Sequence, residues 1–278
     1  MLDRYGRVIN YLRISVTDRC NLRCCYCMPE GVQDVGMKNI LTFEEIWEIV
    51  RTGVSLGITH IRITGGEPLV RKGCVDLIRG IREIPGVETI TMTTNGVLLG
   101  NYGKQLKEAG VSMYHENIET SEENFPNVCT THSFEDKIHE IKRIQEAGLE
   151  LCTGGIVGMG ETWKDRLSMA FTLAELGIRS IPINILIPVK GTPFGELEPM
   201  TQEDILRTVA ILRYINPKAD VRIAAGRNYF KDGGGELFLS GVNAALTGNL
   251  LTTGGSSMEQ DRNILEEKGY ILKKKPTG

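Results

Sequence analysis

The sequence has no excess of basic charge, no long apolar run and no histidines at metal-ligand spacing. With 32 Lys and Arg against 35 Asp and Glu, the formal net charge is -3. Such a surface offers no positive field for nucleic acid or anionic lipid. No stretch reaches the length of a transmembrane helix, and the opening MLDRYGRVIN is polar, without the apolar core of a secretory signal. These absences predict a cytoplasmic protein that binds neither nucleic acid nor membrane. The four histidines, His60, His115, His132 and His139, are widely scattered. No low-complexity linker divides the chain, and the glycine-rich Lys231–Gly235 reads as a loop, so one domain over 1–278 is expected. A hydrophobic content of 41% is enough for a real core.

Cysteine is distributed very unevenly. There are seven: Cys20, Cys24, Cys25, Cys27, Cys74, Cys129 and Cys152. An odd count without a secretory signal argues against a disulfide framework. Four of the seven crowd into "DRCNLRCCYCMPEG", residues 18–31. Adjacent cysteines pair poorly, so ligation of a metal or cluster is the better reading. Cys20, Cys24 and Cys27 have the spacing C-x3-C-x2-C, and Cys25 is out of step as a bystander. Three thiolates can hold three irons of a cubic 4Fe–4S cluster and leave the fourth open. The alternative is a zinc site completed by His60 or His115. Cys74 and Cys129 read as ordinary buried thiols.

Short β-branched runs alternate with helical patterns. The expected strands are Tyr11–Ser15, His60–Thr64, Thr89–Thr94, Ser112–Ile118, Glu150–Gly158, Ser180–Ile187, Asp220–Ala225 and Ala245–Leu250, read as continuously apolar and buried on both faces. Thr42 with Glu45, and Thr162 with Asp165, read as helix caps, and Ser133 starts a further helix. On the helix after Thr162, Leu167, Ala170, Phe171 and Ala174 are expected to face inward. A fourth helix spans Gln202–Tyr214. Roughly eight strand–helix units of about 25–35 residues predict an α/β fold of TIM type, a (βα)8 barrel, with its chemistry at the C-terminal ends of the strands.

The run Cys20-Asn-Leu-Arg-Cys24-Cys-Tyr26-Cys27 resembles the signature of radical S-adenosylmethionine (SAM) enzymes, with Tyr26 as the aromatic residue before the third cysteine. The resemblance implies a 4Fe–4S cluster held by Cys20, Cys24 and Cys27, with SAM chelating the open iron. It also implies an electron donor such as flavodoxin or ferredoxin and a small-molecule substrate, and it leaves a homodimer open. Gly65-Gly66-Glu67-Pro68 looks like the family's GGEP segment, Thr93-Thr94-Asn95-Gly96 ends the third strand, and Gly154-x-Ile156-x-Gly158-x-x-Glu161 resembles its GxIxGxxE element. Tyr26, Gly65, Gly66, Glu67, Thr93, Asn95, Glu119, Gly154, Ile156 and Gly158 are thus the expected cofactor contacts.

At finer grain the resemblance divides near 111–113. Residues 1 to about 111, with "DRYGRVINYLRISVTDRCNLRCCYCMPEGV" and "ITHIRITGGEPLVRKG", resemble the GTP 3′,8-cyclase of molybdenum cofactor synthesis. There Arg13 and Arg62 match positions that hold GTP. Residues about 113 to 270, with "YHENIETSEENFPNVCTTHSFEDK", "LCTGGIVGMGET", "SIPINILIPVKGTPF", "VRIAAGR" and "GNLLTTGG", resemble biotin synthase. That likeness implies Asn117 and Asn184 at the ureido ring of dethiobiotin, Glu119 at the SAM ribose, and Cys152 with Arg222 as ligands of a second cluster, 2Fe–2S or other. Two further cysteines of such a cluster are missing from the second and third strands, where Ile63 and Met92 or their neighbours stand. No cysteine follows Cys152, so the cyclase's C-terminal triplet has no counterpart in this sequence. Hydrogen abstraction from dethiobiotin with sulfur insertion is the expected reaction. A cyclase-like activity, or a hybrid that only cleaves SAM futilely, are the alternatives.

Overall fold

A computed structural model describes residues 8–27, 35–246 and 257–270. Its contacts divide the chain into two compact units, Met1–Ile118 with Phe125–Thr153, and Glu119–Asn124 with Gly154–Gly278.

The first unit carries five parallel strands in the order β1 (Tyr11–Ser15), β2 (His60–Thr64), β3 (Thr89–Thr93), β4 (Val111–His115) and β5 (Glu150–Cys152). Helices α1 (Phe43–Ser55), α2 (Cys74–Arg82), α3 (Leu99–Glu108), the short α4 (Phe125–Val128) and α5 (Phe134–Glu146) lie between them. The expectation of continuously apolar strands fails here. Registers align Ile14, Ile63, Met92, Tyr114 and Leu151 in one row, and this row joins Ile46, Val50, Leu77, Ile78 and Leu106 in a single core. Neighbouring positions form rows of the opposite character: Arg13, Arg62 and Thr91, then Thr93, His115 and Cys152. The period is 2 because one face packs on helices and the other holds polar side chains.

The cap expected at Thr42/Glu45 forms as a capping box with both reciprocal hydrogen bonds, and Ser133, expected to start a helix, forms one with Asp136. Each satisfies backbone donors that the first helical turn leaves unpaired. On α1, Ile46 and Val50 are buried, and the Trp47 indole N–H donates to Leu77 O at 3.0 Å. Gly80 on α2 makes room for that indole.

The second unit has parallel strands β6 (Gly155–Val157), β7 (Ser180–Ile185), β8 (Asp220–Ala225) and β9 (Ala244–Ala245). Its helices are α6 (Trp163–Glu175), α7 (Gln202–Ile215), α8 (Gly235–Leu239) and α9 (Met258–Glu267). The single strand expected over 150–158 is thus two short ones, β5 and β6. Gly154 lies at the break, so close to Pro182 that a Cβ would strike its carbonyl oxygen. The strand expected at Ala245–Leu250 begins one residue earlier, and 247–250 lie outside the described residues. So does all of "GNLLTTGG".

The inward face of α6 also differs from the expected one. Arg166, Met169, Ala170 and Leu173 are buried, whereas Leu167 and Phe171 are exposed. The polar start of the helix sets its phase. Ser121 Oγ donates to Asp165 at 2.6 Å, and Arg166 Nε donates to Glu161 at 2.8 Å, which turns this side of the helix inward.

A Gly80→Ala substitution would bring its Cβ 2.5 Å from Trp47 Cε2. Helix propensity alone favours alanine by about 1 kcal/mol, but overpacking costs about 1–3 kcal/mol. The expected result is net destabilisation, seen as a lower urea midpoint with unchanged slope and a red-shifted Trp47 emission.

Candidate active site

All five strands of the first unit run parallel, so their following loops gather at one edge of its sheet. Val16 N donates to Thr64 O (2.8 Å), Gly66 N to Thr17 O (2.8 Å) and Glu67 N to Arg19 O (2.8 Å). These bonds lay the loop after β2 directly against the loop after β1. A Cβ on Gly65 would stand 2.6 Å from Thr17 O, and one on Gly66 would collide with the Arg19 and Asp18 carbonyls. Glycine is needed here because main chain meets main chain.

Above this floor, Cys20, Cys24 and Cys27 line one open cavity of about 320 Å³ with Ser15, Thr17, Gly65 and Gly66. Among the described residues, no three His, Cys, Asp or Glu side chains converge as they would around a single ion. Three thiols spread around a cavity suit a multi-iron cluster, in which each cysteine takes a different iron, better than a mononuclear zinc. His60 cannot complete a zinc site with them. It begins β2, at the other end of the strand, where its ring meets the Thr59 hydroxyl at 2.9 Å and Glu88 at 3.7 Å.

The Cys20 sulfur accepts from Leu22 N (3.4 Å) and from Asn95 Nδ2 (3.7 Å). Cys25 is tied elsewhere, its N–H donating to Val128 O at 3.1 Å. Burial, with Cys24 beside it, pushes the Cys25 thiol up. Burial pushes the core thiol of Cys74 up to about 12. Cys129 is buried with its sulfur 3.8 Å from that of Cys24. That proximity is invisible in the sequence, since 105 residues separate the two.

Glu67 has no exposed surface. Its carboxylate accepts from Leu69 N (2.9 Å), Thr94 Oγ1 (2.9 and 3.0 Å) and Asn95 N (2.7 Å), which locks the GGEP segment to the TTNG turn. Burial raises the Glu67 carboxyl above its ordinary range, and these donors pull it back. Lys137, which sequence reasoning passed over, and Glu116 complete the arrangement. Lys137 on α5 is 2% exposed; its Nζ meets Asn95 O at 2.6 Å and the fully buried Glu116 at 3.1 Å. Burial holds the Glu116 carboxyl up to about 7 against the pull of Lys137.

The remaining expected residues of the first unit lie on the polar face. Arg13 donates to Thr64 Oγ1 (3.5 Å) and Arg62 to Thr91 Oγ1 (3.1 Å), with the two arginines in register. Burial lowers Arg13, and Arg62 beside it adds to that effect. Thr93, His115 and Cys152 share one register row. Thr93 Oγ1 and Asn117 Oδ1 are buried and have no hydrogen-bond partner among the described residues. Unpaired acceptors of this kind suit a polar ligand.

In the second unit Glu119 is the one non-glycine residue with positive φ among those described, at 67°. Such strain persists where surrounding structure imposes it. Here Ile156 N donates to Glu119 O at 2.8 Å, and Glu119 bridges to Gly155. Ile156 lies in register with Asn184, so Glu119, Ile156 and Asn184 come together. Gly158 has φ 95° and, with Met159, donates to the Glu161 carboxylate at 2.7–3.1 Å. Glu161 is held in turn by Arg166, so the final Glu of GxIxGxxE braces its own turn. Arg222 donates to Ser180 Oγ at 3.3 Å.

Parallel α/β architecture with a three-thiol cavity at the strand ends defines a cluster-dependent class of enzyme. Residues 14–173 match the Radical SAM superfamily, and residues 182–271 match the Biotin and Thiamin Synthesis associated domain. The chain is similar to the methylornithine synthase crystal structure at TM-score 0.72 and 18% identity, over 96% of this chain and 84% of that one, which shows the TIM-type α/β fold of the radical SAM kind. Biotin synthase of Clostridium beijerinckii is 61% identical over 91% of this chain and 82% of its own length. That of Alkaliphilus metalliredigens is 44% identical over 96% and 86%. The chain belongs to the radical SAM superfamily and, within it, to the biotin synthase family. Membership entails a 4Fe–4S cluster and SAM as cofactors, and a second cluster is typical of biotin synthases. No helix among the described residues is long and apolar enough to cross a membrane.

Gly66→Ala places a methyl group against the main chain of 18–19, which cannot yield as a side-chain tip can. After anaerobic reconstitution the variant should hold less than about half the wild-type iron per chain, with helical circular dichroism preserved.

Proposed function

We propose that this enzyme abstracts hydrogen from dethiobiotin and inserts sulfur to make biotin. The reading rests on the three cysteines around one glycine-floored cavity. The biotin synthase likeness supports it, and at 91% coverage that likeness extends on both sides of residues 111–113. The reduced cluster with SAM supplies a 5′-deoxyadenosyl radical. Cys20, Cys24 and Cys27 hold the cluster, and the tight loop pairing at Gly65–Gly66 fixes their backbone. In this reading Tyr26, Gly65–Gly66, Thr93, Glu119 and Gly154–Gly158 position SAM, and Glu67 and Asn95, whose polar groups are engaged within the loops, hold that frame in place. Asn117 and Asn184 offer the donor and acceptor pairs that a cyclic urea requires. Cys152 and Arg222 would hold part of the second cluster, which would supply the inserted sulfur. Closeness matters because a carbon radical must meet its partner before water or free thiol. An electron donor such as flavodoxin or ferredoxin and a cytoplasmic setting belong to the same proposal, which leaves a homodimer open.

One observation favours a second reading, GTP 3′,8-cyclase-like activity of the part before 111–113. Arg13 and Arg62 stand in register, and paired guanidinium groups can fork onto phosphate. Product analysis separates the readings. With SAM and reductant under anaerobic conditions, dethiobiotin should stimulate 5′-deoxyadenosine formation and yield biotin, and GTP should do neither. Equal rates with and without dethiobiotin would overturn the proposal in favour of futile cleavage. Cys20→Ala, Cys24→Ala and Cys27→Ala should each lose more than ~10²-fold in cleavage, and Cys25→Ala should retain it. Iron beyond the about four of one cubane, lost on Cys152→Ala, would mark the second cluster.

A further inference from the structure

Asn95 has every polar group engaged. Its N–H donates to Glu67 (2.7 Å), its carbonyl accepts from Lys137 Nζ (2.6 Å), and its Oδ1 accepts from Val97 N (3.2 Å). Its Nδ2 donates to Asn21 Oδ1 (2.8 Å) and to the Cys20 sulfur (3.7 Å). The Val97 bond settles which way the amide lies, so the N–H side faces the sulfur. Nothing at Asn95 is left to rotate.

The anchor beneath it is unusual. Lys137 and Glu116 form an ion pair with side chains 2% and 0% exposed, and such pairs are costly to bury. A Cβ on Gly96 would collide with the Glu116 carboxylate, so the turn is pressed directly onto the pair. The Lys137 ammonium also lies within electrostatic reach of Glu67. A buried cation that bonds a backbone carbonyl and balances two carboxylates can hold a turn in one position.

We infer that Lys137 and Glu116 are positioning residues that clamp the TTNG turn, so that Asn95 keeps a hydrogen bond on the Cys20 sulfur and thereby sets the reduction potential of the cluster. The inference rests on the cluster assignment made under the proposed function. Reduction adds negative charge to the cluster and its thiolates. An N–H directed at a thiolate stabilises the reduced form and raises the potential.

The test is an EPR-monitored redox titration of the anaerobically reconstituted full chain, without substrate turnover. Asn95→Leu should lower the reduced-to-oxidised ratio at the wild-type midpoint about tenfold, a shift of ~59 mV for a one-electron couple. Lys137→Met should lower it in the same direction. The double variant should fall no further than Asn95→Leu alone, because lysine acts through asparagine. An unmoved midpoint in Asn95→Leu, or additive shifts in the double variant, would overturn the inference. If Lys137→Met fails to retain iron, Lys137→Arg replaces it: the charge is kept and the donor geometry changed, so an unmoved midpoint there overturns the clamp. Absence of any reducible cluster in the wild-type chain would sink the proposed function instead.

Discussion

At Gly65 and Gly66 the main chain after β2 rests on the main chain of residues 17–19, with no side chain between them. That contact determines where the cysteine loop can lie. From it the order passes through the buried Glu67 carboxylate to Thr94 and Asn95, and through Asn95 back to Cys20. The loops after three separate strands are thereby joined by short polar bonds, all at the edge where the parallel strands end. Each bond is modest, about 0.5–1.5 kcal/mol net. Their shared acceptor makes them collective, because disturbing Glu67 would release all three partners at once.

The two faces of the first sheet divide the labour. Ile14, Ile63, Met92 and Tyr114 pack on helices and supply the burial that holds the unit together. Arg13, Arg62, Thr93, His115 and Cys152 occupy the other face, which is polar. A burial worth about 1.5–3 kcal/mol per large side chain can carry a face that stabilises little by itself.

Much of this was legible in the sequence. Strand positions were found to within a residue or two for β1, β2, β3 and β8, because β-branched runs and flanking turns mark them. The caps at Thr42, Ser133 and Thr162 follow from short-range chemistry and form as expected. The cysteine spacing and the GGEP glycines pointed to the cavity. What stayed hidden depends on contacts between distant segments. Lys137 reads as a surface lysine on an amphipathic helix until Glu116 and Asn95 are brought to it. Hydrophobic periodicity alone gives another phase for α6, because it cannot register Arg166 turning inward to Glu161. At the break between β5 and β6, Gly154 lies against the main chain of Pro182, a contact between segments far apart in the chain.

Glu119 bears on how the protein could adapt. Its backbone occupies a region that glycine or asparagine would enter more easily. A directed-evolution campaign rewarding heat tolerance alone would press this site towards those residues, at the expense of a carboxylate. Keeping an acid there holds the chain below its attainable robustness, a compromise that selection for stability by itself would erase.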